Sequence, residues 1–169
     1  EGEAVFSQDG KLTFNGNAID TKKIIIATGA RPAMPSIEGI ENVPYLTSTT
    51  ALELETLPAS LLVIGAGYIG AEIAQVFARA GVKVTIISRR GLVPEAEPEI
   101  GEALTGYFED EGINLVSGIT YDRIEARGSS IVLTVQDGGA TREITSEKVL
   151  IATGRTPNTE RLNLASAGI

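Results

Sequence analysis

Apolar positions change their spacing twice along this chain. Through the first thirty residues they come in short groups, Ala4-Val5-Phe6 and Leu12-Thr13-Phe14, set apart by the turn-forming runs Gln8-Asp9-Gly10 and Asn15-Gly16-Asn17. That pattern predicts short strands joined by tight turns, with a further strand over Lys22 to Ala27. Pro32, Pro35, Pro44 and Pro58 then punctuate a connector, interrupted by one short helix where Thr50 and Glu53 have capping-box spacing ahead of Leu54.

From Leu61 the order becomes strand, helix, strand, helix, strand. Leu61-Leu62-Val63-Ile64 is a continuous apolar run, as expected of a parallel strand covered on both faces. An amphipathic helix is predicted next, with Ile69, Ile73, Val76, Phe77 and Ala80 on its apolar face and Gly81 placed to end it. Val82 to Ile87 reads as a second buried strand. Pro98 suits the first turn of another helix, with Ile100, Leu104, Tyr107 and Phe108 at helical spacing and Gly112 after it. A third strand follows over Ile113 to Val116. The period then drops to two, with Ile131, Leu133 and Val135 alternating with polar residues. An Asp137-Gly138-Gly139 turn and a return strand over Arg142 to Thr145 predict an antiparallel meander ahead of a last buried strand, Lys148 to Ile151. The expected fold class is α/β and Rossmann-like: a parallel sheet with helices on its face and an antiparallel β-meander.

One stretch of this pattern carries chemistry. Gly65-Ala66-Gly67-Tyr68-Ile69-Gly70 leaves a buried strand and opens a helix inside a βαβ unit, the context that the G-x-G-x-x-G pattern requires. Gly65 would allow the tight turn, Gly67 the close approach of a diphosphate, and Gly70 the packing of helix near sheet. The diphosphate would sit at the helix N-terminus, where unpaired N–H groups and the helix dipole favour negative charge. At the end of the second strand an acidic residue would bond the ribose hydroxyls of NAD, whereas basic residues accommodate the 2′-phosphate of NADP. Ser88 stands where the acid is expected, followed by Arg89 and Arg90. Arginine can fork two hydrogen bonds onto a phosphate, so these residues favour NADPH, and Gly70 is compatible with either cofactor.

Composition narrows the chemistry further. The 169 residues are 43% hydrophobic, enough for a substantial core, and the net charge of −8 comes without a basic cluster. Nucleic acid and anionic membrane are therefore not the expected partners. With no cysteine and no histidine, the chain supplies no thiol nucleophile, imidazole base or ordinary zinc site. No catalytic or metal-binding residue is assigned. No run is apolar enough to span a bilayer, so a cytoplasmic setting is the default expectation, and an opening Glu-Gly-Glu suggests an excised segment.

The segment KKIIIATGARP near the start recurs as EKVLIATGRTP, aligning Lys23 with Lys148, Ile26 with Ile151 and Ala27-Thr28-Gly29 with Ala152-Thr153-Gly154. With GAGYIGAE at Gly65 to Glu72 between the two ATG stretches, the sequence resembles the FAD-dependent pyridine nucleotide-disulfide oxidoreductases over nearly its whole length. Within them, the run from Pro44 to Ile86 and the segment ATGRTPNTERLNLASAGI look most like the mercuric reductases, with dihydrolipoamide dehydrogenase and related disulfide reductases as alternatives. A stand-alone nucleotide-binding module is the alternative from another class.

The resemblance implies roles residue by residue. Tyr68 matches a tyrosine that lies over the flavin and moves aside for nicotinamide, and Glu72 a glutamate near the carboxamide. Arg89 and Arg90 match the region that selects the 2′-phosphate, with Arg89 preferred. Ala27, Thr28, Gly29 and Ala30 match a loop whose backbone nears FAD, and Gly154 with its neighbours matches the crossing back toward the FAD domain. The implied division is residues 1–36 and 154–169 as parts of the FAD domain, 37–60 as connector and 61–153 as the NAD(P)H-binding domain. The family's flavin-binding motif, redox cysteine pair and dimerisation domain have no counterpart in the sequence, so homodimerisation and FAD binding are expectations for a longer enzyme and the isolated segment is expected to be inactive.

Overall fold

The change of period at Leu61 is visible in the computed structural model, which describes residues 1–169. Two compact units are present: Glu1–Arg31 with Arg155–Ile169, and Pro32–Gly154. No helix is long and apolar enough to cross a membrane.

In the smaller unit, β1 (Ala4–Phe6), β2 (Leu12–Phe14) and β3 (Asn17–Ala18) form an antiparallel meander turned by Gly10 and by Asn15-Gly16, all at positive φ. The turn chemistry of the sequence is borne out here. The strand expected over Lys22 to Ala27 is not formed. No neighbouring strand pairs with this segment, and Ile25 is 91% exposed. The next strand is β4 (Ala30–Pro32).

The larger unit begins with β5 (Tyr45–Leu46) and the five-residue helix α1 (Ser48–Leu52). The capping box lies one turn earlier than expected. Thr47 is the N-cap, and its partner is the Thr50 hydroxyl, which accepts from the Thr47 amide at 2.9 Å. Thr50 thus closes a cap instead of opening one, and the helix ends before Glu53.

The elements β6 (Ser60–Ile64), α2 (Tyr68–Arg79), β7 (Lys83–Ser88), α3 (Pro98–Asp110) and β8 (Asn114–Ser117) follow as predicted, within a residue or two at their ends. β9 (Thr120–Arg127), β10 (Ser130–Asp137) and β11 (Ala140–Ser146) make the antiparallel meander, and β12 (Lys148–Ile151) returns to the parallel sheet. β13 (Arg155–Pro157) pairs with β4 in a separate two-stranded sheet. β9 was not legible in advance. Its sequence TYDRIEAR offers one fully buried side chain, Ile124, so its apolar alternation is too sparse to read.

The parallel sheet has the order β5-β12-β6-β7-β8. Because its strands are covered on both faces, successive residues point into different cores. Leu61 and Val63 enter one cluster with Ile73, Ala74 and Phe77 of α2, Phe108 of α3 and Leu150. Leu62 and Ile64 enter the other with Val149, Ile151 and the meander residues Ile124, Ile131, Leu133 and Val135. The result is three layers, helices over parallel sheet over antiparallel sheet.

Helical spacing overstated two apolar faces. In α2 the buried positions are Gly70, Ala71, Ile73, Ala74 and Phe77, while Val76 and Ile69 are exposed; in α3 only Phe108 is buried. Small residues bring α2 close to the sheet, which narrows the stripe that burial requires. Arg79 clamps Glu111 after α3 through two bonds, of 2.8 and 2.6 Å, and Gln75 adds a third at 2.9 Å.

Candidate functional site

β6 occupies the point where the sheet changes direction. The chain runs outward from it through β7 to β8, then returns to place β12 on its other side. In open α/β sheets this reversal opens a crevice beyond the strands' carboxyl ends, where ligands bind. The glycine loop leaves β6 there.

Each glycine of the loop has a separate geometric reason. Gly65 has φ of 108°, and a Cβ on it would stand 2.4 Å from the Ala152 carbonyl oxygen. A Cβ on Gly70 would stand 2.3 Å from the Gly65 carbonyl oxygen, so the third glycine lets α2 sit directly on the turn. Gly67 is different. No atom lies within 4 Å of its Cβ position, so its hydrogen faces open space. Two glycines are required by protein packing, and the middle one leaves the loop's outer side open.

Gly67 is also the N-cap of the twelve-residue helix α2, with no side chain capping it. The first helical bond runs from the Ala71 amide to the Gly67 carbonyl at 2.9 Å. The amides of Tyr68, Ile69 and Gly70 precede it and have no acceptor within the chain. Unpaired donors at a helix N-terminus beside open space fit the diphosphate of a dinucleotide.

The second part of the site lies at the end of β7, beside β6 in parallel register, with Ile64 opposite Ile87. Ser88 is buried, and its hydroxyl is used locally: it donates to the Gly91 carbonyl at 3.0 Å and accepts from the Arg90 amide at 3.2 Å. Ser88 therefore shapes the turn that presents the two arginines. They differ in state. Arg90 is bound to Glu95 at 2.5 Å, whereas Arg89 makes no hydrogen bond or ion pair. Tyr121 of β9 stands nearby, its hydroxyl pushed up by burial with the Arg89 charge opposing.

A third connection carries no motif in the sequence. The Val93 amide donates to the Ala66 carbonyl at 2.7 Å, tying the loop after the arginines to the glycine loop. Val93 is 3% exposed and takes φ of 41°, a conformation that a β-branched residue adopts only when its surroundings impose it. The only sequence signal for this fold-back is Gly91, at φ 101° directly after the arginines.

Tyr68 is 59% exposed at the start of α2. It and Glu72 border a groove of ≈ 160 Å³ between α2 and α3, lined also by Val93, Ile100 and Leu104. Gly154, at φ 114°, follows β12; its carbonyl accepts from the Ala33 amide at 2.9 Å, and the Thr153 hydroxyl donates to the Ala33 carbonyl at 2.8 Å. The structure thus gathers Gly65, Gly67, Tyr68, Ile69, Gly70, Glu72, Ser88, Arg89, Arg90 and Gly154 in the larger unit.

Ala27, Thr28, Gly29 and Ala30 lie in the smaller unit. There the Asn158 side chain donates to Thr28, the Asn158 amide to Gly29 at 3.0 Å and the Arg155 guanidinium to Ala30. With those carbonyls engaged, the Ala27 carbonyl and the amides of Ala27, Thr28 and Gly29 are left without a partner.

Comparison with known proteins agrees with this architecture. The family described as pyridine nucleotide-disulphide oxidoreductase matches residues 1–169. The chain belongs to this family. It is 46% identical to the mercuric reductase of Staphylococcus aureus over 99% of its length and 46% identical to that of Bacillus cereus over all of it. It spans only 31% and 27% of those relatives. Among solved structures it is similar to the HOCl-induced flavoprotein disulfide reductase RclA of Escherichia coli, with TM-score 0.80 and 34% identity, and to its Cu(II) complex, with TM-score 0.81 and 33% identity. Each alignment covers 99% of this chain and 38% of the other. The family as a whole uses FAD and a pyridine nucleotide.

Proposed function

We propose that this chain is the NADPH-binding portion of a mercuric reductase-like flavoprotein. Residues 61–153 would hold the nucleotide, with 37–60 as connector and 1–36 and 154–169 contributing to the flavin domain of a longer, homodimeric, cytoplasmic enzyme. The observation that carries the reading is the unpaired Arg89 guanidinium beside buried Ser88, at the strand end adjoining the open glycine loop.

In this reading the chain's own residues orient and select. The Tyr68, Ile69 and Gly70 amides receive the diphosphate, Gly67 admits it, and Arg89 pairs with the 2′-phosphate. With NADPH and FAD held by the longer enzyme, the cofactors would supply the two electrons that a disulfide pair there passes to Hg(II), giving Hg(0). Tyr68, exposed at the first turn, would cover the flavin face, and Glu72 one turn later would hold the nicotinamide carboxamide. Ala27 to Ala30 would offer backbone amides to FAD. No residue here donates electrons, so the segment's share of the reaction is positioning and electrostatics.

The likeness to the mercuric reductases supports the choice of substrate, and the absence of an acid at Ser88 supports NADPH over NADH. Calorimetric titration with each nucleotide tests it. NADPH should bind about tenfold more tightly, one charge-assisted pair's worth, and Arg89→Ala should remove most of that preference. Equal affinities in the starting protein would overturn the 2′-phosphate assignment.

A further inference from the structure

The two arginines at the end of β7 are not equivalent, and the difference has a named cause. The Arg90 guanidinium is 2.5 Å from a Glu95 carboxylate oxygen. Both side chains are well exposed, a setting in which ion pairs are ordinarily weak because two long side chains must be ordered. Here both backbones are already fixed. The Arg90 amide is held by the Ser88 hydroxyl. On the other side the Ala96 amide donates to the Val93 carbonyl at 2.9 Å, closing a turn around Pro94 and Glu95. The Val93 amide fastens that turn to the Ala66 carbonyl, hence to the glycine loop.

We propose that Glu95 is a specificity-determining residue for the nucleotide 2′-phosphate, because it occupies Arg90 and leaves Arg89 as the one free guanidinium at the site. This rests on the reading of the strand end as an NADPH site. A 2′-phosphate arriving there meets one available cation, one neutralised cation, and a carboxylate of its own sign. Glu95 thereby limits the preference for NADPH over NADH without touching the diphosphate or the nicotinamide. An unphosphorylated ribose has no charge for Glu95 to repel, so affinity for NADH is insensitive to it.

The test is calorimetric titration of the full chain with NADPH and with NADH at about 0.1 M ionic strength, where a Debye length of about 10 Å confines Glu95 to the charges beside it. Glu95→Gln should raise the NADPH preference about three- to fivefold, the range of an exposed ion pair, and leave NADH affinity unchanged. Arg90→Ala alone, which leaves the Glu95 carboxylate unneutralised, should lower the preference, and in the Glu95→Gln background it should erase the gain. A starting protein that prefers NADPH, with Glu95→Gln leaving that preference unmoved, would overturn the role of Glu95 and leave the NADPH reading intact. Equal binding of both nucleotides, before and after Glu95→Gln, would overturn both. Glu95 and Arg90 are surface residues, and unchanged circular dichroism of the variants confirms that the comparison is between folded proteins.

Discussion

Lys23 to Gly29 and Lys148 to Gly154 share the pattern of a basic residue, three branched apolar residues and Ala-Thr-Gly, yet only the second is a strand. Val149, Leu150 and Ile151 are paired in parallel with β6 on one side, and Val149 and Leu150 with β5 on the other. Ile24, Ile25 and Ile26 are exposed and pair with nothing in the chain. Identical local preference therefore gives opposite outcomes. β-propensity describes a residue's fit to a half-buried pleated surface, and a segment without neighbours has no such surface to fit.

The largest test of that contrast is truncation of the aligned side chains. Leu150 is fully buried among α2 and β6 residues, so Leu150→Ala should destabilise the larger unit by about 2–5 kcal/mol. Ile25→Ala, at the equivalent place in the exposed copy, should change stability by no more than about 0.5 kcal/mol. Chemical denaturation of the two variants measures both. A large loss for Ile25→Ala would mean that the exposed segment is packed in solution.

Glycine provides the next contrast. Gly65→Ala combines a left-handed backbone with a Cβ 2.4 Å from the Ala152 carbonyl oxygen, so about 2–3 kcal/mol of stability should be lost and nucleotide binding with it. Gly29→Ala has the left-handed cost alone, about 1 kcal/mol, since the nearest atom is the Asn158 side-chain nitrogen at 3.8 Å. Thermal denaturation alongside nucleotide titration separates the two effects. Similar losses for both variants would show that the close packing of Gly65 on the second ATG segment is unimportant.

The same contrast explains what could be read from the sequence. Leu61 to Ile64, the glycine loop, Gly81 and Gly112 were legible because their signals depend on neighbours in the chain: a run of apolar residues, a turn, a helix end. The strand expected over Lys22 to Ala27 and the wide apolar faces assigned to α2 and α3 went wrong because burial depends on what packs against them. The position of Ser88, Arg89 and Arg90 at the end of β7 was legible too. The distinction between the arginines was not, since Glu95 becomes a partner only when Val93 folds the loop back onto Ala66. Val93 itself gives no warning, because a valine in a left-handed conformation contradicts its own local preference.

The threonines give the smallest and most direct comparison, because the two residues are identical and only their surroundings differ. The Thr153 hydroxyl donates to the Ala33 carbonyl at 2.8 Å in a partly buried position, joining the end of β12 to the chain entering the same unit. The Thr28 hydroxyl is exposed and makes no hydrogen bond. Valine keeps the shape of threonine and removes the hydroxyl, so Thr153→Val should cost about 1 kcal/mol, the typical net worth of one intramolecular hydrogen bond. Thr28→Val should cost nothing measurable. Denaturation midpoints read the difference, and amide hydrogen exchange locates it: opening at Ala33 and Gly154 should quicken in the first variant alone. If both variants behaved alike, the second ATG segment would be held by its strand and not by its threonine, and the two copies would differ in burial only.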